Sequence, residues 1–357
     1  MHTLALLALL SATQLPAAPA ADHILVVTLD GLRWQELFGG AQRELISERA
    51  GGVADTASLL RRFWRETTEA RREALMPFLW GVVAVRGRML GDSAGGSLVR
   101  VSNGKRFSYP GYNELLSGAP DDRINSNDKI PNPNLTVLEW LNRRPAFQGR
   151  VAAFGSWDVL PFILNTARSG IHTNGDGLPV THPRTPVERT LNDLAADLPP
   201  YWGTVRFDAV TMQGALHHLR TRRPRVLYVM LGDTDEWAHE RRYDLYLDAA
   251  KRSDRFLRTL WETVQSIPGY RNRTALIVAT DHGRGSGEDW TDHGREVPAA
   301  ERIWMGVMTP KGVTGQRSTA KGSYTQGQFA ATIAALLGLE KEFRAANPRA
   351  AASVPLP

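Results

Sequence analysis

The chain contains no cysteine among its 357 residues. Disulfides, thiolate metal ligands and a cysteine nucleophile are thereby excluded, so any zinc must be held by His, Asp and Glu. Beyond the opening segment no run is long and apolar enough for a membrane helix. No basic run is interleaved with aromatics, which argues against a nucleic-acid polymer as partner. Internal repeats and low-complexity tracts are also missing, apart from an Ala/Pro-rich tail that follows Arg344.

The opening MHTLALLALLSATQL is apolar but too short to span a bilayer, and the small-residue stretch PAAPAAD follows it. This reads as a secretory signal peptide over residues 1–20, with Ala18-Pro19-Ala20 as the cleavage site. It implies a periplasmic or secreted protein with no membrane span after cleavage. An uncleaved anchor is the other reading, because no Lys or Arg precedes the apolar run. The formal charge of +6 reads either as a solvated basic surface or as attraction for anionic substrates or an anionic membrane face.

Five short apolar runs read as buried strands: His23–Leu29, Val151–Phe154, Val226–Leu231, Thr274–Ala279 and Ile303–Met308. Amphipathic stretches lie between them. The longest is Arg241–Ile267, and others are Leu135–Asn142, Pro186–Leu198, Ala209–Arg220 and Gln326–Leu337. Continuous apolar strands alternating with helices imply an α/β fold, a mostly parallel central sheet with helices on both faces. Residues 42–105 and 160–202 break this rhythm and read as insertions capping the sheet.

Three of the five strands run into acidic ends. ILVVTLDG ends at Asp30, VLYVMLGDTDEWAH leads to Asp233, Asp235 and His239, and ALIVATDHG ends at Asp281 and His282. Ligands of an open parallel sheet sit at the carboxyl ends of its strands. Carboxylates gathered there repel one another unless a cation lies between them, and mixing Asp with His favours zinc. His239 stands four residues after Asp235, one helical turn on. His293, in DWTDHG, follows closely enough for a loop to fold back on the site. His217 and His218 lie mid-helix and read as a surface or packing pair, whereas His172 and His182 sit in the second insertion and are open to either reading.

In KRFSYPGYNELLSG, Ser108 precedes Pro110 at the start of a helix. A serine there is an ordinary N-cap, yet the same position points a hydroxyl at backbone N–H groups that favour a phosphate.

Taken together, TLDGLRW, FSYPGYNELLSG, DTDEWAH, ATDHG and DWTDHG resemble the alkaline phosphatase superfamily in order and spacing, most of all its type I phosphodiesterase/nucleotide pyrophosphatase branch. The resemblance implies a single alkaline-phosphatase-like domain over residues 21–345, ahead of a tail at 346–357. It implies two zinc ions per chain, one held by Asp30, Ser108, Asp281 and His282, the other by Asp235, His239 and His293. Asp235 rather than Asp233 keeps the family's spacing to the histidine. Ser108 would be the nucleophile of a hydrolase that forms a phosphoserine intermediate on a small anionic phosphate ester. The family also places an asparagine near the phosphoryl oxygens; Asn125, Asn127 and Asn132 compete for that role, with Asn127 preferred.

The branch usually carries Thr followed by Phe-Pro-Asn where this chain has Ser108-Tyr109-Pro110-Gly111. A sulfatase needs Arg at the position of Tyr112, which sets that rival aside, and the signal peptide argues against a phosphomutase. A non-catalytic, metal-binding member of the fold is the remaining alternative. Arg33, Lys105, Arg106 and Arg284 could charge the site for a monoester, while Trp34, Phe38, Tyr109, Trp237 and Trp290 could line a groove for a diester.

Overall fold

The computed structural model describes residues 19–180, 184–312, 318–319 and 321–357. Nearly all of the signal-peptide segment lies outside them, as does His182. The strands are β1 (His23–Leu29), β2 (Arg88–Leu90), β3 (Ser97–Arg100), β4 (Val151–Gly155), β5 (His172–Asn174), β6 (Val226–Leu231), β7 (Thr274–Ala279), β8 (Arg302–Ile303), β9 (Met305–Met308), β10 (Ser318–Thr319) and β11 (Gly322–Thr325). Eight form one sheet in the order β10-β2-β9-β7-β1-β6-β4-β5, and β11-β3-β8 form a small second one. From β7 through β1, β6 and β4 to β5 every pairing is parallel, whereas β9 runs antiparallel to β7 and β2 to β9.

Parallel strands covered on both faces need apolar side chains on both faces, which is why these runs do not alternate. Leu25, Val27 and Leu29 of β1 enter one core with the helices Asp208–Arg222 and Tyr243–Ser266. Ile24 and Val26 enter the other with the helices Ser108–Ser117, Val137–Asn142 and Gln328–Leu336. Burying Leu, Ile or Val is worth about 1.5–3 kcal/mol each, so the two cores together fix the strand order and register.

That register carries the site. Leu29 stands opposite Leu231, and Thr28 opposite Ala279. The chain therefore leaves β1, β6 and β7 at the same end of the sheet, bringing Asp30, Asp235 and Asp281 together.

The expected Ile303–Met308 strand divides at Trp304, whose indole N–H donates to Leu32 O at 2.8 Å. The two halves join different sheets. Residues 42–105 contribute β2 and residues 160–202 contribute β5, one near each edge of the large sheet. The final residues pack down on the body, with Ala350 and Val354 buried and Ala351 N donating to Gly118 O at 3.0 Å. Among the described residues no helix is long and apolar enough to cross a membrane.

Candidate active site

Asp30 follows β1 directly and the chain turns at Gly31, whose φ is +59°. A Cβ there would lie 2.5 Å from Asp235 Oδ1, so glycine lets β1 end against the neighbouring carboxylate. Asp30 Oδ2 accepts from the Tyr112 hydroxyl at 2.9 Å, and Gly31 N donates to Asp281 Oδ1 at 3.2 Å. Asp30 Oδ1 and Asp281 Oδ2 remain buried without a well-aligned hydrogen-bond partner. Leaving such atoms unpaired costs about 1–3 kcal/mol each, more for a charged group, so a pair of them facing one site indicates an acceptor set for a cation.

His282 is fully buried. Its Nδ1 lies 2.9 Å from Gly283 O, which leaves Nε2 turned inward. Nε2 is 3.2 Å from Asp30 Oδ1, 3.5 Å from Asp281 Oδ2, 3.6 Å from Asp235 Oδ1 and 3.4 Å from Ser108 Oγ. Burial alone would lower this imidazole, but the Asp281, Asp30 and Asp235 carboxylates push it up to about 10. Burial and the Asp30 charge raise the Asp281 carboxyl well above its ordinary range.

Asp235 and His239 both belong to the helix Asp233–His239, and one turn sets His239 Nε2 3.0 Å from Asp235 Oδ2. His293 arrives on its loop with Nε2 3.1 Å from His239 Nε2, while its Nδ1 lies 3.3 Å from Arg106 O. Burial favours the uncharged Asp235, yet Arg284, His239 and His293 hold its carboxyl well below the usual range. Two clusters have ligand atoms close enough for metal ions, Asp30-Asp281-His282 and Asp235-His282-His293. The donor set is oxygen and imidazole nitrogen, which suits zinc.

Ser108 is the first residue of its helix, and Phe107, in extended conformation, takes the cap position without a side-chain bond. The hydroxyl is thus released from capping and lies beside His282. Gly111, one turn along, would place a Cβ 2.5 Å from Asp281 O. Glycine at this point lets the helix press against the end of β7.

Asn127 Oδ1 accepts from Tyr109 N at 3.0 Å, and Asn127 shares the cleft wall with Ser108. Asn132 is instead buried in a network with Asn113 and Ile163 O, and Asn125 lines a different hollow beside Pro131. Asp233 turns away as well, accepting from Asp208 N and Arg252. His217 Nε2 lies 3.0 Å from Glu188 Oε1, and His218 stacks on His172 at 4.6 Å, both outside the cleft.

The cleft of about 330 Å³ is lined by Trp157, Val159, Val205, Met230 and Leu231 together with the ligand residues. The basic and aromatic residues anticipated from sequence do not fill it. Arg33 is buried against Glu36, Arg284 holds Asp235, Lys105 pairs with Asp122 and Arg106 bonds Arg295 O. Phe38 and Trp290 are core residues, Tyr109 donates to Ile130 O, Trp34 lies under Arg302, and Trp237 joins a cluster with Tyr201 and Trp202. Trp157 and Glu236, which sequence reasoning missed, are in the wall; burial and the charges of Asp235 and Asp30 raise Glu236 to about 8.

Residues 125–340 match the family of type I phosphodiesterases / nucleotide pyrophosphatases. Asn127, Asp235, His239, Asp281, His282 and His293 fall inside that stretch; Asp30 and Ser108 precede it. No curated protein matches the chain at the level of sequence. Similar solved structures include the lipoteichoic acid synthase LtaP from Listeria monocytogenes, with 12% identity, a TM-score of 0.51 and coverage of 91% of this chain and 73% of that one. A protein of the alkaline phosphatase superfamily from Vibrio parahaemolyticus gives 12%, 0.51, 90% and 68%, and a 2-O GAG sulfatase gives 12%, 0.53, 89% and 71%. At these identities the likeness is one of fold, a central sheet flanked by helices. The matched segment spans more than half of the sequence, and the chain belongs to the type I phosphodiesterase / nucleotide pyrophosphatase family.

Proposed function

We propose that the protein is an exported two-zinc hydrolase of phosphate esters that acts through a phosphoserine intermediate on Ser108. The observation that carries this reading is the convergence of Asp30, Asp281 and His282 with Asp235, His239 and His293 beside a serine at a helix N-terminus. When bound, zinc ions would acidify the hydroxyl and neutralise charge on the phosphoryl oxygens.

The chain's own residues perform the rest. Ser108 Oγ attacks phosphorus, its O–P bond forms as the bond to the leaving oxygen breaks, and its proton leaves toward solvent. The N–H groups of the helix's first turn face the phosphoryl oxygens. Asn127 spends its carbonyl oxygen on Tyr109 N, which leaves its amide N–H groups for a phosphoryl oxygen. Asp30 is oriented by Tyr112, and Asp235 by Arg284. Water then cleaves the phosphoserine and regenerates the hydroxyl.

Within this reading the substrate is a diester. Among the described residues that line the cleft, the one lysine or arginine is Lys129, and it is paired with Asp158 at 2.6 Å. A dianionic monoester would need more positive charge, whereas the apolar wall suits a second ester group. The paired test is hydrolysis of a nitrophenyl phosphate and of the matching phenyl diester by zinc-loaded protein. Faster turnover of the diester is expected. Faster turnover of the monoester would reverse the substrate assignment, and hydrolysis of neither by protein that holds two zinc ions would remove the enzymatic reading.

A further inference from the structure

The end of the sheet opposite the cleft is crowded with arginine. Arg273, Arg225 and Arg150 immediately precede β7, β6 and β4, Arg222 ends the helix before β6, and Arg223 and Arg271 stand on the connections beside them. Neighbouring strands lie about 4.8 Å apart, so these guanidinium groups form one face. His23 at the start of β1 registers it: burial, then Arg225, lowers its imidazole to about 4, with Arg150 and Arg273 acting in the same sense. Arg150, Arg222, Arg223, Arg271 and Arg273 are exposed, and Arg225 is half-buried. Asp22 binds Arg273, but among the described residues no carboxylate makes an ion pair with the other five.

The fold explains only part of this charge. Four helices, ending at Asn142, Arg222, Ser266 and Leu336, point their C-termini toward this end. Each supplies about half a negative charge, some two in all, which six arginines exceed. Asp22 offsets one more, which leaves about three positive charges in mutual repulsion.

The chain enters the fold through the same face. Asp22 N and His23 N both donate to Arg273 O, Ile24 N donates to Arg225 O, and Ala21 N donates to Leu336 O. The apolar run MHTLALLALL lies just upstream in sequence, and when retained as an uncleaved anchor it would bring this face to the bilayer. An apolar segment combined with a basic patch is the pairing of signals that holds proteins on anionic membranes. Single-stranded nucleic acid fits less well, because the local rings are covered: Phe147 lies beneath Arg225, and Tyr270 is stacked on His23 at 3.8 Å.

We propose that this arginine face docks on an anionic lipid surface and holds the catalytic cleft away from it. The length of β1 sets the separation at about 20 Å, so the protein would act on esters reached from the aqueous side. The proposal is independent of the chemistry assigned to Ser108.

The test is co-sedimentation of the full chain with vesicles of phosphatidylcholine alone or mixed with phosphatidylglycerol. Binding common to both reports the apolar segment; the excess on phosphatidylglycerol reports the arginine face. That excess should be at least about tenfold at about 0.1 M salt and should vanish near 0.5 M. The variant R150Q/R222Q/R223Q/R271Q should lose it, whereas R43Q/R61Q/R65Q/R189Q, with the same charge removed elsewhere, should keep it. Hydrolysis of a soluble ester checks that both variants fold, and the salt titration of the unaltered chain stands if one does not. Equal loss in both variants, no headgroup preference in the unaltered chain, or its displacement from vesicles by a single-stranded oligonucleotide at lower concentration than by soluble phosphatidylglycerol would each overturn the proposal.

Discussion

His239 Nε2 and His293 Nε2 face each other across 3.1 Å, at the far side of the carboxylate cluster from Asp281. Two imidazole nitrogens meet at that distance only with a proton or a cation between them. Burial, followed by the charge of His282, pushes His293 down to about 2, so it is uncharged, and with Nδ1 turned to Arg106 O its Nε2 offers a lone pair. On the other side of the site, His282 sits near 10 and holds a proton at neutral pH.

Metal binding must therefore expel protons. Calorimetric titration of the metal-free protein with zinc near pH 7, in buffers of different ionisation enthalpy, should show release of at least about one proton per chain. Affinity should rise with pH, because a higher pH assists loss of the His282 proton. Heats independent of the buffer would mean that these residues do not ligate the ion.

Ser108→Ala should lower kcat by about a thousandfold or more while metal content stays near that of the unaltered chain. The hydroxyl makes one contact at 3.4 Å and caps no helix, so little stability should be lost. Full activity in this variant would remove Ser108 from the mechanism. Loss of metal together with activity would recast it as a structural ligand.

The loss expected for Asn127→Ala is about a hundredfold in kcat with a smaller change in KM, as for removal of one donor to a developing charge. Asn127→Asp keeps an acceptor for Tyr109 N but sets a negative charge beside the phosphoryl group, and should be slower still. If Asn127→Asp matched the unaltered chain, the residue would serve only to hold Tyr109 N.

Much of this was readable from the sequence because strand ends are simple to find. Buried parallel strands are continuous apolar runs, and a carboxylate directly after one stands at the sheet's functional edge. That logic puts Asp30, Asp281 and His282 at this edge, whereas β6 leads to both Asp233 and Asp235, and only the family's spacing favours the second. The helix periodicity likewise placed His239 one turn from Asp235. The cleft wall was not readable. Trp157 lies beyond β4 in an irregular segment bridged to Val205, and no local pattern marks which loop aromatic will face a site. The fates of Arg33 and Arg284 were hidden for a related reason: a buried arginine is set by its carboxylate partner, here Glu36 and Asp235, far apart in the chain for the second pair.

Away from the site, Asp254 accepts from Phe78 N and Leu79 N at 2.9 and 2.8 Å, yet burial outweighs those bonds and raises its carboxyl to about 6. The folded state thus holds this proton more tightly than the unfolded chain, whose carboxyl titrates near 3.9. Its contribution to stability is complete below about pH 4 and is lost as pH rises through 6. Denaturant unfolding between pH 4 and 7 should show a slope from this group that Asp254→Asn abolishes, even if the amide costs about 1 kcal/mol overall. An unchanged slope would assign the pH dependence to other groups.

Trp157 offers the sharpest separation of substrate classes. It lines the same cleft as Ser108, together with Val159, Val205 and Met230, an apolar lining suited to the non-reacting group of a diester. Trp157→Ala should raise KM for a phenyl diester about three- to tenfold, the range expected when an aromatic contact is lost. Among the described residues no hydrogen bond joins Trp157 to a ligand residue, so kcat should stay within about twofold, and the monoester should be nearly unaffected. Equal losses on both esters would mean that Trp157 supports the Val205 loop instead of contacting substrate. A fall in kcat confined to the diester would place its second ester group nearer the reacting phosphorus than this wall allows.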